Sequence, residues 1–154
     1  YSYIQATYES SGELLGVDNR EMDITPGTRM AGIPLHKLKM HLDWSATEKW
    51  KLGTSMIVSS SLVTQGNEDG LLDAGGASGS AKVKGYAIFN LNTSYKVQKG
   101  FEFFGKINNV FNRRYETYGM LNADSLYDPT QQTLSKFVAP GAPRTYMAGL
   151  RLKF

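Results

Sequence analysis

The sequence predicts an all-β protein, an antiparallel transmembrane β-barrel segment of about six strands. Three observations carry that expectation. Six segments alternate apolar and polar residues, at about 2–10, 35–46, 49–62, 84–97, 100–111 and 143–154, each near the roughly ten residues a tilted strand needs to cross a bilayer. The connections between them alternate long and short, as extracellular loops and periplasmic turns do in outer-membrane barrels. Aromatic residues gather at the strand ends, at two levels, as membrane girdles do.

Taken in order, Tyr3-Ile4-Gln5-Ala6-Thr7-Tyr8 reads as the first strand. In the second, Leu38, Met40, Leu42 and Trp44 share a face against Lys39, His41, Asp43 and Ser45, because successive strand side chains point to opposite sides. In the third, Trp50, Leu52, Met56, Val58 and Leu62 oppose Lys51, Gly53, Ser55 and Ser59. The fourth sets Ala87, Phe89, Leu91, Thr93, Tyr95 and Val97 against Ile88, Asn90, Asn92, Ser94 and Lys96, and the fifth sets Phe101, Phe103, Gly105 and Ile107 against Glu102, Phe104, Lys106 and Asn108. Ile88 and Phe104 break the polar face. In the last, Tyr146, Ala148, Leu150, Leu152 and Phe154 oppose Met147, Gly149, Arg151 and Lys153, one face suited to lipid and the other to water.

Two connections, Ala46-Thr47-Glu48-Lys49 and Gln98-Lys99, have hairpin lengths. The others, about 11–34, 63–83 and 112–142, read as long loops, which would count against the strands in a compact soluble domain and are expected in a membrane barrel. Trp44, Trp50, Tyr95, Phe101 and Phe154 then sit at one membrane boundary, and Tyr8, Tyr86 and Tyr146 at the other.

Composition agrees and narrows the function. The chain has 154 residues, 12% aromatic and 16 of them Gly, with no run apolar enough for a spanning helix. There is no cysteine, hence no disulfide, thiol nucleophile or Cys-based metal site. A net charge of +3, with the basic residues spread along the chain, lacks the footprint of a nucleic-acid binder. Because the first residues already read as strand, the chain is expected to be a piece of something longer.

Ile107-Asn108-Asn109-Val110-Phe111-Asn112-Arg113-Arg114-Tyr115-Glu116 resembles the penultimate-strand signature of TonB-dependent outer-membrane receptors, an Asn-hydrophobe-Phe core followed by a basic residue and Tyr. Pro140-Gly141-Ala142-Pro143-Arg144-Thr145-Tyr146, leading to Phe154, resembles the end of that family, and Gly32-Ile33-Pro34-Leu35-His36-Lys37-Leu38 resembles the start of an earlier strand. The resemblance implies a barrel of about 22 strands around a plug. Residues 1–154 would then be the C-terminal part of its barrel domain, with the plug and TonB-contacting segment upstream. A six-stranded piece made alone has two bare edges, so it is expected to need detergent or to self-associate.

Arg113, Arg114, Tyr115 and Tyr118 open the longest loop and Arg144 closes it. Guanidinium groups bind carboxylates and phosphates in fixed geometry, so these residues are candidates for contacting an anionic metal chelate. The competing reading is that they tie the loop to the rim or face lipopolysaccharide phosphates. His36 and His41 fall on opposite faces and make a poor chelating pair. Asp18, Glu21 and Asp23, and likewise Glu68, Asp69 and Asp73, lack the spacing of a calcium loop. Neither a resident metal nor a cofactor is expected. Lys39, Asp43, Lys51, Lys106, Arg151 and Lys153 would line the lumen, and the resemblance has them face the plug. The resemblance to outer-membrane proteins also implies that Tyr146, Leu150, Leu152 and the terminal Phe154 are read by the barrel-assembly machinery.

The functional expectation is a share in an active transporter of the Gram-negative outer membrane, energised by the TonB complex and taking up a scarce nutrient such as a ferric siderophore. Its surroundings would be outer-membrane lipid and lipopolysaccharide. A soluble all-β ligand-binding module, carbohydrate-directed through its aromatics, is the alternative. An enzyme is not expected, since neither His lies beside a Gly-flanked nucleophile motif.

Overall fold

The computed structural model describes residues 1–16, 21–71, 81–124 and 133–153. Those residues contain strands and turns and no helix. In chain order the strands are β1 (Ser2–Tyr3), β2 (Gly12–Leu15), β3 (Glu21–Ile24), β4 (His36–Ser45), β5 (Trp50–Ser59), β6 (Leu62–Val63), β7 (Lys82–Val83), β8 (Tyr86–Gln98), β9 (Phe101–Asn108), β10 (Glu116–Asp124), β11 (Thr133–Pro140) and β12 (Thr145–Leu152). Six of them make one antiparallel sheet in the order β1-β4-β5-β8-β9-β12, open at β1 and β12.

The register sorts the residues into two faces, with one irregularity between Lys96 and Gln98 where β8 runs into its short turn to β9. Leu42, Thr54, Leu91, Ile107 and Tyr146 form one cross-strand row, and Trp44, Leu52, Thr93, Gly105 and Ala148 form the next. On the opposite face Asp43, Gly53, Asn92, Lys106 and Met147 are in line, and Lys96, Glu102 and Arg151 follow nearer the short turns. Period-two alternation held across five strands turns every apolar set the same way. The apolar face is bare, with Leu42 65% and Trp44 61% exposed.

The two residues that break the polar face are accommodated by their partners. Ile88 lies opposite Ile57 and is buried. Phe104 lies opposite Gly149, where an added Cβ would come within 2.6 Å of the ring, and the Arg151 guanidinium stands 5.8 Å from its centroid.

Two sequence expectations need correction. The first segment is strand only at Ser2–Tyr3, then follows an irregular ladder: Ile4 N–H donates to Leu35 O, Met30 N–H to Ala6 O and Tyr8 N–H to Thr28 O. Pro34 supplies no donor and the partner segment turns at Ala31–Gly32, so regular pairing stops there. The three long connections also contain ladders of their own: β2 pairs with β3, β6 with β7, and β10 with β11. Met22, Ile24, Leu62, Ala81, Val83 and Leu121 are buried there, whereas Ile88 is the buried apolar residue among those of the six-stranded sheet. The tightest packing therefore lies outside the sheet.

Candidate functional site

The signature segment after β9 ends the strand by turn chemistry. Asn109 and Asn112 take φ of 50° and 49°, a left-handed conformation that Asn tolerates better than most residues. The Asn112 N–H closes the turn on Asn109 O at 2.8 Å. Asn109 is 2% exposed, and its side chain is satisfied entirely by loop backbone. Its Nδ2 donates to Arg113 O at 2.9 Å and to Ala142 O at 3.1 Å, and its Oδ1 accepts from Arg113 N–H at 2.9 Å. Its own N–H donates to Asn90 Oδ1 at 3.0 Å, and Asn90 Nδ2 reaches Ser55 Oγ at 3.1 Å. One side chain thus ties both roots of the β10–β11 connection to the sheet. Gly141 N–H to Tyr115 O at 2.8 Å and Arg144 N–H to Asn112 Oδ1 at 3.1 Å complete the closure.

Above this latch lies a groove of about 790 Å³ whose walls carry, among the described residues, Lys84, Arg113, Arg114 and Lys136 against a single carboxylate, Glu116. Arg113 and Arg114 are exposed. Lys136 is held by two bonds, to Glu116 Oε2 and to Lys82 O, both at 3.3 Å. Tyr115 lines the same groove and packs on Tyr86, ring centroids 4.6 Å apart. Since Tyr86 lies opposite Ser59 on the polar face, the groove stands over that face, at the end of the sheet away from the short turns.

The structure divides the five predicted contact residues. Arg113, Arg114 and Tyr115 come together in the groove; Tyr118 and Arg144 do not line it. The Tyr118 hydroxyl donates to the Gln65 side-chain carbonyl. Arg144 lies beside the ends of β9 and β12, its guanidinium 3.3 Å from Val110 O and 5.7 Å from the Tyr146 ring centroid. Lys84 and Lys136 were missed by sequence reading, being ordinary lysines distant in the chain. The role of Asn109 was also missed, although three Asn within five residues at a strand end is a turn signal.

Trp44, Trp50, Tyr95 and Phe101 lie on the apolar face near the short turns, with Trp50 Nε1 donating to Thr93 Oγ1 at 2.9 Å. Tyr146, Leu150 and Leu152 share that face and are exposed. Tyr86 turns instead to the polar face. Phe154 lies outside the described residues, as do Asp18 and Asp73. His36 packs on Tyr3 at 5.3 Å and His41 bonds Asp43 at 2.8 Å, on opposite faces. Among the described residues no cluster of three or more His, Cys, Asp or Glu has metal-binding geometry.

An open antiparallel sheet with one apolar and one polar face, short turns at one end and long structured connections at the other, is a length of barrel wall of the outer-membrane type. Residues 1–110 match the family described as TonB dependent receptor-like, beta-barrel, and the chain belongs to that family. A comparison with curated proteins found no match. Among solved structures, the siderophore receptor PiuA from Acinetobacter baumannii superposes with a TM-score of 0.67 at 15% identity, over 93% of this chain and 17% of that one. The ferric-catecholate import receptor Fiu from E. coli K12, in its closed form, gives 0.62 at 19% identity, over 93% and 16%. The copper transporter OprC gives 0.52 at 19%, over 83% and 19%. The chain thus spans about one sixth of the length of the first two. At these identities the likeness establishes the fold, and it does not favour the soluble carbohydrate-binding module.

Proposed function

We propose that residues 1–154 are the C-terminal part of the barrel domain of an outer-membrane active transporter of a Gram-negative bacterium. The transporter is energised by the TonB complex through a plug domain and takes up an anionic metal chelate of the ferric-siderophore kind. The observation that carries the reading is the groove: among the described residues, four cations and one carboxylate, with an aromatic wall, over the polar face at the end with the long connections. That is the mouth of a barrel whose short turns face the periplasm. Planar guanidinium forks suit catecholate or carboxylate oxygens. PiuA and Fiu, about one sixth of whose length the chain superposes on, are receptors for a siderophore and for ferric catecholates.

The rest of the chain serves that role as wall. The apolar face meets lipid, with Trp44, Trp50, Tyr95 and Phe101 at the periplasmic boundary. Arg144 and Tyr146 meet lipopolysaccharide at the other, and Tyr146, Leu150, Leu152 and Phe154 serve as the assembly signal. The test is the double charge reversal R113E/R114E in the full-length receptor, titrated with an anionic ferric catecholate. The reading expects at least a tenfold loss of affinity, about 1.4 kcal/mol, which shrinks as salt is raised. Unchanged affinity with normal surface abundance would refute it.

A further inference from the structure

The groove draws its cations from two connections. Lys84 follows β7, while Arg113, Arg114 and Lys136 belong to the segment between β9 and β12. Something must hold those segments in register, and a seam between them does so. Gln65 pairs with Met120 in a parallel bridge: Gln65 N–H donates to Gly119 O at 3.1 Å and Leu121 N–H to Gln65 O at 2.7 Å. The Tyr118 hydroxyl caps the Gln65 side chain.

Beneath the bridge lies a closed cluster from both segments, in which Thr64, Val83 and Leu121 are almost wholly buried and Leu62 and Ala81 join them. Thr64 Oγ1 is satisfied there by Ala81 O at 2.8 Å. Gly119 sits where a side chain has no room, since an added Cβ would lie 2.7 Å from Val83 Cγ2 and 2.9 Å from Thr64 Cγ2. The seam continues to the groove, because Lys136, on β11 across from Leu121, is bonded to Lys82 O.

We propose that residues 62–67 and 81–85 of one connection and 113–121 and 135–141 of the other form a single rigid body. In that body the Gln65–Met120 seam is the positioning element of the cationic groove. A ligand in the groove meets one preformed surface, and whatever motion accompanies uptake carries both segments together. The chemistry of the ligand rests on the function proposed above; the unity of the two segments does not.

The experiment uses the full-length receptor in lipid. Gly119→Val drives a wedge into the seam, and hydrogen exchange is followed by mass spectrometry without ligand. The expected result is faster exchange in 62–67 and 116–121 together, with β5, β8 and β9 unchanged. Loosening of only one segment would overturn the proposal. Should Gly119→Val fail to reach the membrane, Gln65→Cys with Met120→Cys gives a second reading, since bridge partners lie within disulfide reach. The locked receptor is expected to bind and import the ferric catecholate as the wild type does. Loss of import on oxidation, restored by reductant, would show that the segments must part and would overturn the proposal. If exchange rises in both segments while the affinity of Gly119→Val stays at wild type, the body stands and the positioning role falls. If Arg113→Glu with Arg114→Glu also leaves binding intact, the ligand reading fails separately.

Discussion

Replacing Asn109 tests the latch more sharply than any other single change. The side chain supplies three hydrogen bonds to backbone atoms of Arg113 and Ala142 at a site 2% exposed. At about 0.5–1.5 kcal/mol net for each bond, deletion costs roughly 1.5–4.5 kcal/mol. Asn109→Ala also forces a Cβ residue without a local hydrogen bond into φ 50°, which adds about 1–2 kcal/mol. Asn109→Gly loses the same bonds but adopts that φ freely, so it should be more stable than Ala by about 1 kcal/mol. Asn109→Asp keeps an acceptor for Arg113 N–H but turns a second oxygen toward two carbonyls, and should rank with Ala or below. The assay is urea unfolding of the full-length receptor in lipid vesicles, read by tryptophan fluorescence and, segment by segment, by hydrogen exchange across β9 and β12. Ala within about 1 kcal/mol of wild type, or Gly below Ala, would show that the latch is not what closes the loop.

Three further changes separate neighbouring claims. Gly149→Ala crowds Phe104 and should lower stability by about 1–3 kcal/mol; combining it with Phe104→Leu should recover part of the loss, and a simple sum of the two costs in urea midpoints would contradict the contact. Trp50→Phe removes the indole N–H bonded to Thr93 and should cost about 1 kcal/mol, seen as a small drop in midpoint with unchanged insertion. Arg144→Ala should leave ferric catecholate affinity within about threefold of wild type, about 0.6 kcal/mol, because its guanidinium lies beside the ends of β9 and β12; a tenfold loss in a binding titration would return Arg144 to the ligand set.

The wall of the barrel was legible because its cause is local. Alternation sets the face of β4, β5, β8, β9 and β12, and hairpin lengths set the register within β4–β5 and β8–β9; Trp44, Leu52, Thr93, Gly105 and Ala148, each expected on the apolar face of its own strand, share that face across the sheet. The connections were not legible in the same way. β6 and β7 are two residues each, too short to show a period; they pair with each other, and Gln65 just beyond β6 bonds the other long connection. The height of Tyr86 on its strand groups it with the girdle aromatics, but parity turns it to the polar face and to Tyr115. The groove was half visible: adjacent Arg113 and Arg114 stand out in a sequence, whereas Lys84 and Lys136 join them only through pairing across the seam. Asn109 stands out in the sequence as part of a signature, but its bond to Ala142, 33 positions away, is written in the fold alone.

That bond bears on how the wall is put together. β4–β5 and β8–β9 are joined through turns of a few residues and can pair as soon as they are made. β12 must find β9 across a connection roughly ten times as long, and the entropy of closing it is greater by about 2 kcal/mol. A side chain at the end of β9 that grips the chain just before β12 offsets a cost of that order and delivers β12 already beside its neighbour. The latch is therefore expected to act on the kinetics of assembly as well as on the finished wall. Pulse-labelled Asn109→Gly receptor should accumulate as an unclosed species before it matures, and maturation at the wild-type rate would assign the latch to the finished state alone.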